Sequence, residues 1–266
     1  SICVHRGEEP VVSGGLGICN VFFSHCNLQC VYCQNYQISR NDTGAGTMSL
    51  DDVVTAIVSL LDGGASSVGF VSPSHMVAQM RAIVDALHAR GRRPTIVMNT
   101  NSYDTPEVIA SLAGVVDVYL PDFKYMDYSL ALELSGAWNY PDVARAALRE
   151  MYRQKGSNLT LMENGTAASG LIVRHLIIPG HLGNSTRVLG AIAEELSTSV
   201  HLSLMSQYYP TPVVAHHPWL GRTVSRAEYT EVLDELERLG FHRGWVQELE
   251  SHEAYRPDFT KSHPFE

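Results

Sequence analysis

Cys26, Cys30 and Cys33 stand on one short stretch with three and then two residues between them. A cubic iron-sulfur cluster takes a thiolate on each of its four irons, so three cysteines in this arrangement hold three corners and leave one iron open to a small molecule. Zinc is the first rival. A structural zinc site closes with four ligands, however, and the near fourth candidate, His25, adjoins Cys26 too closely for easy tetrahedral closure. Reduced core thiols are the second rival, opposed by the polar Asn27, Gln29, Gln34 and Asn35 interleaved with the triplet. Cys3 and Cys19 lack comparable spacing and read as structural. Five cysteines without a basic-then-apolar leader argue against a disulfide framework, and the expectation is a reducing, cytoplasmic setting.

The elements that position such a loop follow from composition and pattern. With 266 residues, 45% hydrophobic and 18% charged, the chain suits one large α/β domain. A net charge of -9, with no basic cluster beyond Arg92-Arg93, leaves no footprint for nucleic acid. No apolar run approaches the roughly 20 residues that cross a bilayer, so no membrane partner is expected. Short apolar runs alternate with segments whose apolar residues recur at three and four, the pattern of repeated βα units. Strands are expected at 21–23, 68–71, 96–99, 116–120, 172–178 and 201–205. Ser49 caps a helix with Val53, Ile57, Leu60 and Leu61 on its buried stripe; further helices follow at 77–87, after Thr105-Pro106-Glu107, and around 143–154 and 188–196. Ser225 and Glu228 form a capping box for a last helix ended by Gly240. Six units fall short of the eight that close a barrel, so the reading is an open partial (βα)6 TIM-like barrel of parallel strands with reacting groups at the strands' C-terminal ends. The whole of 1–266 is read as a single domain, with an N-terminal extension over 1–20, a barrel core over 21–210, and a helix and tail over 211–266 covering the barrel.

Polar residues gather where such a barrel places its site. The second strand runs into Ser72, Ser74 and His75, the third into Asn99, Thr100 and Asn101, and the fourth into Asp122 and Lys124. The fifth carries Arg174 and ends before His181, and the sixth runs into Gln207 and Tyr208. Period two sets Asp122 and Lys124 on the face of Leu120, so an acid and a base both point into the barrel mouth, where they can bind an amine, a carboxylate or a ribose. A merely solvated Asp-Lys pair is the bland alternative. His175 alternates with Arg174 and should face a helix. His216-His217 reads as a covering loop rather than a metal pair; Glu248, Glu250, His252 and Glu253 read as a solvated tail, pinned to the barrel by Trp245 and Tyr255.

These residues carry a family resemblance. The Cys26-Cys30-Cys33 loop, with Tyr32 before its last cysteine, resembles the signature of the radical S-adenosylmethionine (SAM) superfamily. The likeness runs from about Glu8 to Pro210 and is greatest to the branch related to pyruvate formate-lyase activating enzymes. It is carried there by Gly7-Glu8-Glu9-Pro10, Leu120-Pro121-Asp122-Phe123-Lys124, Val173 through Gly180, and Met205-Ser206-Gln207-Tyr208. The resemblance implies a 4Fe-4S cluster on the three cysteines, with the amino and carboxylate groups of S-adenosyl-L-methionine on the open iron. An electron then cleaves the cofactor to a 5'-deoxyadenosyl radical that abstracts hydrogen from the substrate. It further implies Tyr32 near the adenine, with Asn99, Thr100, Asp122, Lys124 and Arg174 at strand ends that approach the cofactor.

Two departures bear on substrate. Relatives carry Gly-Gly-Glu after the second strand, where this chain reads Ser72-Pro73-Ser74-His75, so Ser72, Ser74 or His75 must rebuild that contact. At the sixth strand Gln207 and Tyr208 replace a histidine. Two enzymatic readings result: formation of a glycyl radical on a partner protein, or radical modification of another peptide or a small molecule. A non-catalytic iron-sulfur electron carrier is the reading from another class. The expected partners are a reducing electron donor such as a flavodoxin or ferredoxin and a protein or peptide substrate, with the chain itself a monomer.

Overall fold

The computed structural model describes every residue except 43, 45, 254, 255, 262, 263 and 266 and the side chains of 252 and 253. The chain opens with β1 (Ile2–His5), passes through the single-turn α1 (Pro10–Ser13), and returns antiparallel to β1 as β2 (Ile18–Phe22). The cysteine loop follows, then α2 (Tyr36–Ser39) and α3 (Leu50–Asp62). β3 (Ser67–Val71), α4 (Val77–Ala89), β4 (Thr95–Thr100), α5 (Pro106–Ser111) and β5 (Val118–Pro121) continue the alternation. After β5 come α6 (Tyr128–Ser135), α7 (Tyr140–Lys155), the short β6 (Thr160–Leu161), which pairs antiparallel with its successor, and β7 (Ala167–Leu176). α8 (Leu182–Glu195), β8 (His201–Met205), α9 (Arg226–Arg238) and β9 (Gly244–Val246) complete the units.

The sheet order is β1-β2-β3-β4-β5-β7-β8-β9, and every neighbouring pair from β2 onward is parallel. Among the described residues no ladder joins β9 to β1, so the sheet curls without closing. Alternation along the strands builds two cores. Ile18, Val97, Val118, Leu120 and Ile172 meet inside the curl with Val12 of α1 beneath them. The opposite faces, including Val68, Phe70, Ile96, Met98, Leu202 and Leu204, pack against Ile57, Met80 and Leu87 of the helices. Strands buried on both faces read as nearly continuous apolar runs, which is why six of them stood out in the sequence.

The helix caps follow the same chemistry. Ser49 accepts from the Asp52 N–H, Thr105 from the Val108 N–H with Pro106 next in line, and Ser225 forms a reciprocal box with Glu228.

Four features depart from the expectation. β2 begins at Ile18, and β1 pairs with it through a run read only as an extension. The region before β7 holds α6 as well as α7. β9 adds a seventh parallel strand: Gly244, at φ 120, lies where a Cβ would come 1.9 Å from the Leu202 carbonyl oxygen, a contact that hides the strand in a three-residue segment. Finally, the last segment is not simply solvated. Trp245 packs on the interior core as expected, and Phe259 and Phe265 pack on Phe22 with ring centroids 5.2 and 5.8 Å away. Tyr255 and the side chains of His252 and Glu253 lie outside the described residues.

Candidate active site

The cysteine loop leaves β2 at its C-terminal end and is tied down on all sides. His25 takes a left-handed φ of 68 that turns the chain, and its N–H donates to the Ile38 carbonyl at 2.7 Å. Gln29 Nε2 reaches the carbonyls of Cys26, Leu28 and Ser39, at 3.0 to 3.2 Å. Val31 N–H donates to Leu134 in the last turn of α6, and Thr211 Oγ1 donates to the Val31 carbonyl.

Each of the three cysteines is partly exposed and its sulfur receives a donor, whereas Cys3 and Cys19 are buried. Leu28 N–H and Asn101 Nδ2 both lie 3.4 Å from Cys26 Sγ. Ser135 Oγ donates to Cys30 Sγ at 2.9 Å, and Ser39 Oγ to Cys33 Sγ at 3.3 Å. Burial raises the Cys26 thiol and pushes that of Cys30 up to about 12, so these sulfurs keep their protons until a cation stabilises the thiolate. Donors already aimed at sulfur suit a ligated thiolate. Among the described residues no three His, Cys, Asp or Glu side chains converge as a single metal ion requires. The donor set therefore fits a polynuclear cluster with one thiolate per iron better than zinc.

Asp122 and Lys124, expected to point into the mouth and bind a ligand, pair with each other, with Oδ2 and Nζ 2.5 Å apart and both side chains largely buried. Burial works against the Lys124 charge, but Asp122 beside it, helped by Cys30, holds the ammonium above the usual lysine range. Asn99 faces a cavity of about 370 Å³ inside the curled sheet, together with Gln34, Arg174 and Gln207. Gln34, one residue beyond Cys33, donates to the Gln207 carbonyl at 2.7 Å and so links the cysteine loop to the cavity wall.

Other candidates are placed differently. Thr100 alternates out of the interior, is 1% exposed, and donates to Asp104 Oδ2 at 2.5 Å; Ser74 Oγ lies 3.2 Å from it. Ser72 takes a left-handed φ of 49, with its N–H on the Asn99 carbonyl, and His75 Nε2 lies 2.8 Å from the Ser24 carbonyl. These four residues therefore brace the loops around the mouth. Tyr32 and Tyr208 are 5% and 1% exposed, and their rings pack together in the core. The Tyr208 hydroxyl donates to the Leu220 carbonyl, and that of Tyr32 lies 2.5 Å from the Tyr125 hydroxyl. Both rings lie in the core and neither lines the cavity; the resemblance implied Tyr32 near the adenine, and its strand-end position set Tyr208 toward the mouth.

Arg174 faces the interior but is already engaged. It donates to both carboxylate oxygens of Glu9 at 2.8 Å and to Glu8, which also accepts from Asn20 Nδ2 at 3.0 Å. Burial works against the Glu8 carboxylate, yet Arg174 offsets this and keeps its pKa below the ordinary range. A Cβ on Gly69 would meet Asn20 Oδ1 at 2.1 Å, so glycine there is what admits Asn20. His175, on the other face of β7, is buried with Nε2 2.9 Å from Ser185 of α8, as alternation predicted. Glu8, Glu9, Asn101 and Ser135 were missed as site residues. Their partners lie between 74 and 166 residues away; the signals were the strand-end position of Asn101 and the Gly7-Glu8-Glu9-Pro10 stretch.

Residues 20–165, more than half of the chain, match the family model described as the radical SAM superfamily. An uncharacterized protein of Methanocaldococcus jannaschii is 27% identical over 248 residues, covering 88% of this chain. The chain spans 65% of that relative's length. Among solved structures, Streptococcus suis SuiB bound to S-adenosylmethionine superposes with a TM-score of 0.57 at 12% identity, over 90% of this chain and 53% of SuiB. SuiB bound to its precursor peptide SuiA gives 0.59 at 13% identity, over 91% and 52%. HydG, a maturase of FeFe-hydrogenase, gives 0.56 at 12% identity, over 89% and 53%. At such identities the structural likeness speaks to the fold.

Proposed function

This chain belongs to the radical SAM superfamily, whose cofactors are a 4Fe-4S cluster and S-adenosylmethionine, and we propose that Cys26, Cys30 and Cys33 hold that cluster. When bound, the two cofactors supply one-electron cleavage of S-adenosylmethionine coupled to hydrogen abstraction from a substrate C–H bond. The observation that carries the reading is the set of three partly exposed cysteines, each sulfur supplied with a hydrogen-bond donor, on the loop that follows the C-terminal end of β2 beside an interior cavity.

The chain's own residues have definable tasks. Asn101 and Ser135 orient sulfur ligands through N–H and O–H donors. Asn99, Asp122 and Lys124 offer the amide, acid and base for the polar groups of the bound cofactor, with Ser72 at the position of the absent Gly-Gly-Glu. The cavity seats the substrate and keeps water from the reacting bond. A low-potential flavodoxin or ferredoxin supplies the electron.

The substrate is a peptide or a small molecule. A peptide is supported by a second groove of about 410 Å³, lined by Tyr36, Tyr209 and Pro210, which shares Gln34 and Pro257 with the cavity. Formation of a glycyl radical on a partner is the narrower version of this reading and requires a loop to enter past Pro257. SuiB, bound to a precursor peptide, provides a precedent on the same fold.

Anaerobic reconstitution with iron and sulfide, followed by dithionite and S-adenosylmethionine, is expected to yield 5'-deoxyadenosine and methionine. Cys30→Ala is expected to lower the yield at least a hundredfold. No 5'-deoxyadenosine from the reconstituted wild type would overturn the reading.

A further inference from the structure

We propose that the interior cavity takes its substrate by an ammonium or guanidinium group, seated beside Glu8, Glu9 and His5. This rests on reading the cavity as the substrate chamber of the enzyme proposed above.

The first argument is charge balance. Glu8 and Glu9 have side chains only 9% and 4% exposed, and they share one guanidinium, Arg174, itself 9% exposed. Asp122 pairs across a β-bridge with the Arg174 backbone, but its charge is matched by Lys124. Three carboxylates thus face two cations, and one buried negative charge lacks a counter-charge. Buried charges are normally paired, because desolvation without a partner is costly. Asn20 is neutral, and burial pulls the pKa of His5 down against the attraction of Glu8, so the imidazole does not make up the deficit.

The second argument is an unfilled hydrogen bond. His5 is 9% exposed, lines the same cavity, and its Nδ1 is buried with no partner among the described residues. Buried polar atoms are rarely left so, and because Nδ1 lies behind the wall, the ring has to turn toward the cavity to give a ligand atom this place. A neutral imidazole nitrogen accepts a hydrogen bond from an ammonium or guanidinium N–H, and the neighbouring carboxylates carry the matching charge. Across the cavity Asn99, Ser203 and Gln207 are neutral and Glu248 adds a further carboxylate, so the missing charge comes from the ligand.

The cation can be a free amine or a lysine or arginine side chain of a peptide. Cluster-reconstituted full-length chain is titrated anaerobically with n-butylammonium, n-butylguanidinium, butyrate, n-butanol and the peptide acetyl-Gly-Lys-Gly-amide, and binding is followed by saturation-transfer NMR. At least one cation is expected to bind ten times more tightly than n-butanol, with butyrate weaker still. Glu8→Gln, which leaves the Glu9–Arg174 pair intact, is expected to weaken the cation about tenfold and n-butanol not at all. A free amine binding more tightly than the peptide assigns a small molecule; the reverse order assigns a side chain. Butyrate or n-butanol matching the best cation, no binding of any probe, or competitive displacement by S-adenosylmethionine would each overturn the proposal. The wild-type panel decides even where the variant fails to fold. Formation of 5'-deoxyadenosine in the same preparation separates the two claims: product without cation binding sinks only the substrate class, and cation binding without product sinks only the reaction.

Discussion

Ser135 is a small residue with a large lever, because its hydroxyl donates to Cys30 Sγ from the last turn of α6. A donor to a cluster sulfur withdraws electron density and raises the reduction potential. Ser135→Ala is therefore expected to keep the cluster but shift its potential negative in an EPR-monitored redox titration, with a stability loss of about 1 kcal/mol. An unchanged potential would assign Ser135 to packing alone. At this scale the cysteines were legible because their spacing is local. The burial of the Tyr32 and Tyr208 rings was not legible, because sequence position sets where a backbone runs, while packing of the ring sets where the side chain turns. The Arg174 pairing was hidden because a sequence shows no partner 165 residues away.

β7 shows how one strand serves two environments. Arg174 points to the interior with the glutamates, and the next residue, His175, points outward to Ser185 of α8 and the Phe123 carbonyl. Burial pulls the His175 pKa down from 6.5 to about 4, so the folded chain keeps the ring neutral where the unfolded chain protonates it. The contribution is whole above pH 6.5 and is lost as pH falls from 6.5 to about 4, amounting to on the order of 3 kcal/mol. Urea denaturation across that window should show the stability advantage of wild type over His175→Gln shrinking by that order as pH falls. An advantage independent of pH would mean the ring titrates alike in the folded and unfolded chains. Alternation along β7 was readable, since period two needs no knowledge of neighbours. β9 was not, because three residues give no period and its pairing depends on Gly244 meeting Leu202.

At the scale of the molecule, the described residues after β9 touch both sides of the open sheet. Gln247, Glu248 and Pro257 line the cavity, Asp258 accepts from Gln37 at 3.2 Å, and Phe259 and Phe265 rest on Phe22 of β2. A partial barrel leaves its interior open at the side, and this strap covers the opening. Replacing both Phe259 and Phe265 with alanine is expected to cost about 2 to 4 kcal/mol, less than for full burial because the rings are only partly enclosed. Hydrogen exchange should quicken in β1 and β2 while β4 and β5 stay protected; uniform quickening would show that the strap supports the whole fold. The parallel architecture was legible from its apolar runs, whereas the strap was not, since its few aromatics acquire meaning only beside Phe22. One further consequence lies in the hydroxyls around Tyr125. Ser135 spends its only proton on Cys30, so it must accept from Tyr125, whose hydroxyl lies 2.7 Å away, and Tyr125 in turn must accept from Tyr32. Three O–H dipoles thus align in one direction toward the sulfur, like compass needles, and with the cluster proposed on Cys30 in place the O–H stretch of a tyrosine deep in the core would be a vibrational gauge of the charge on the iron.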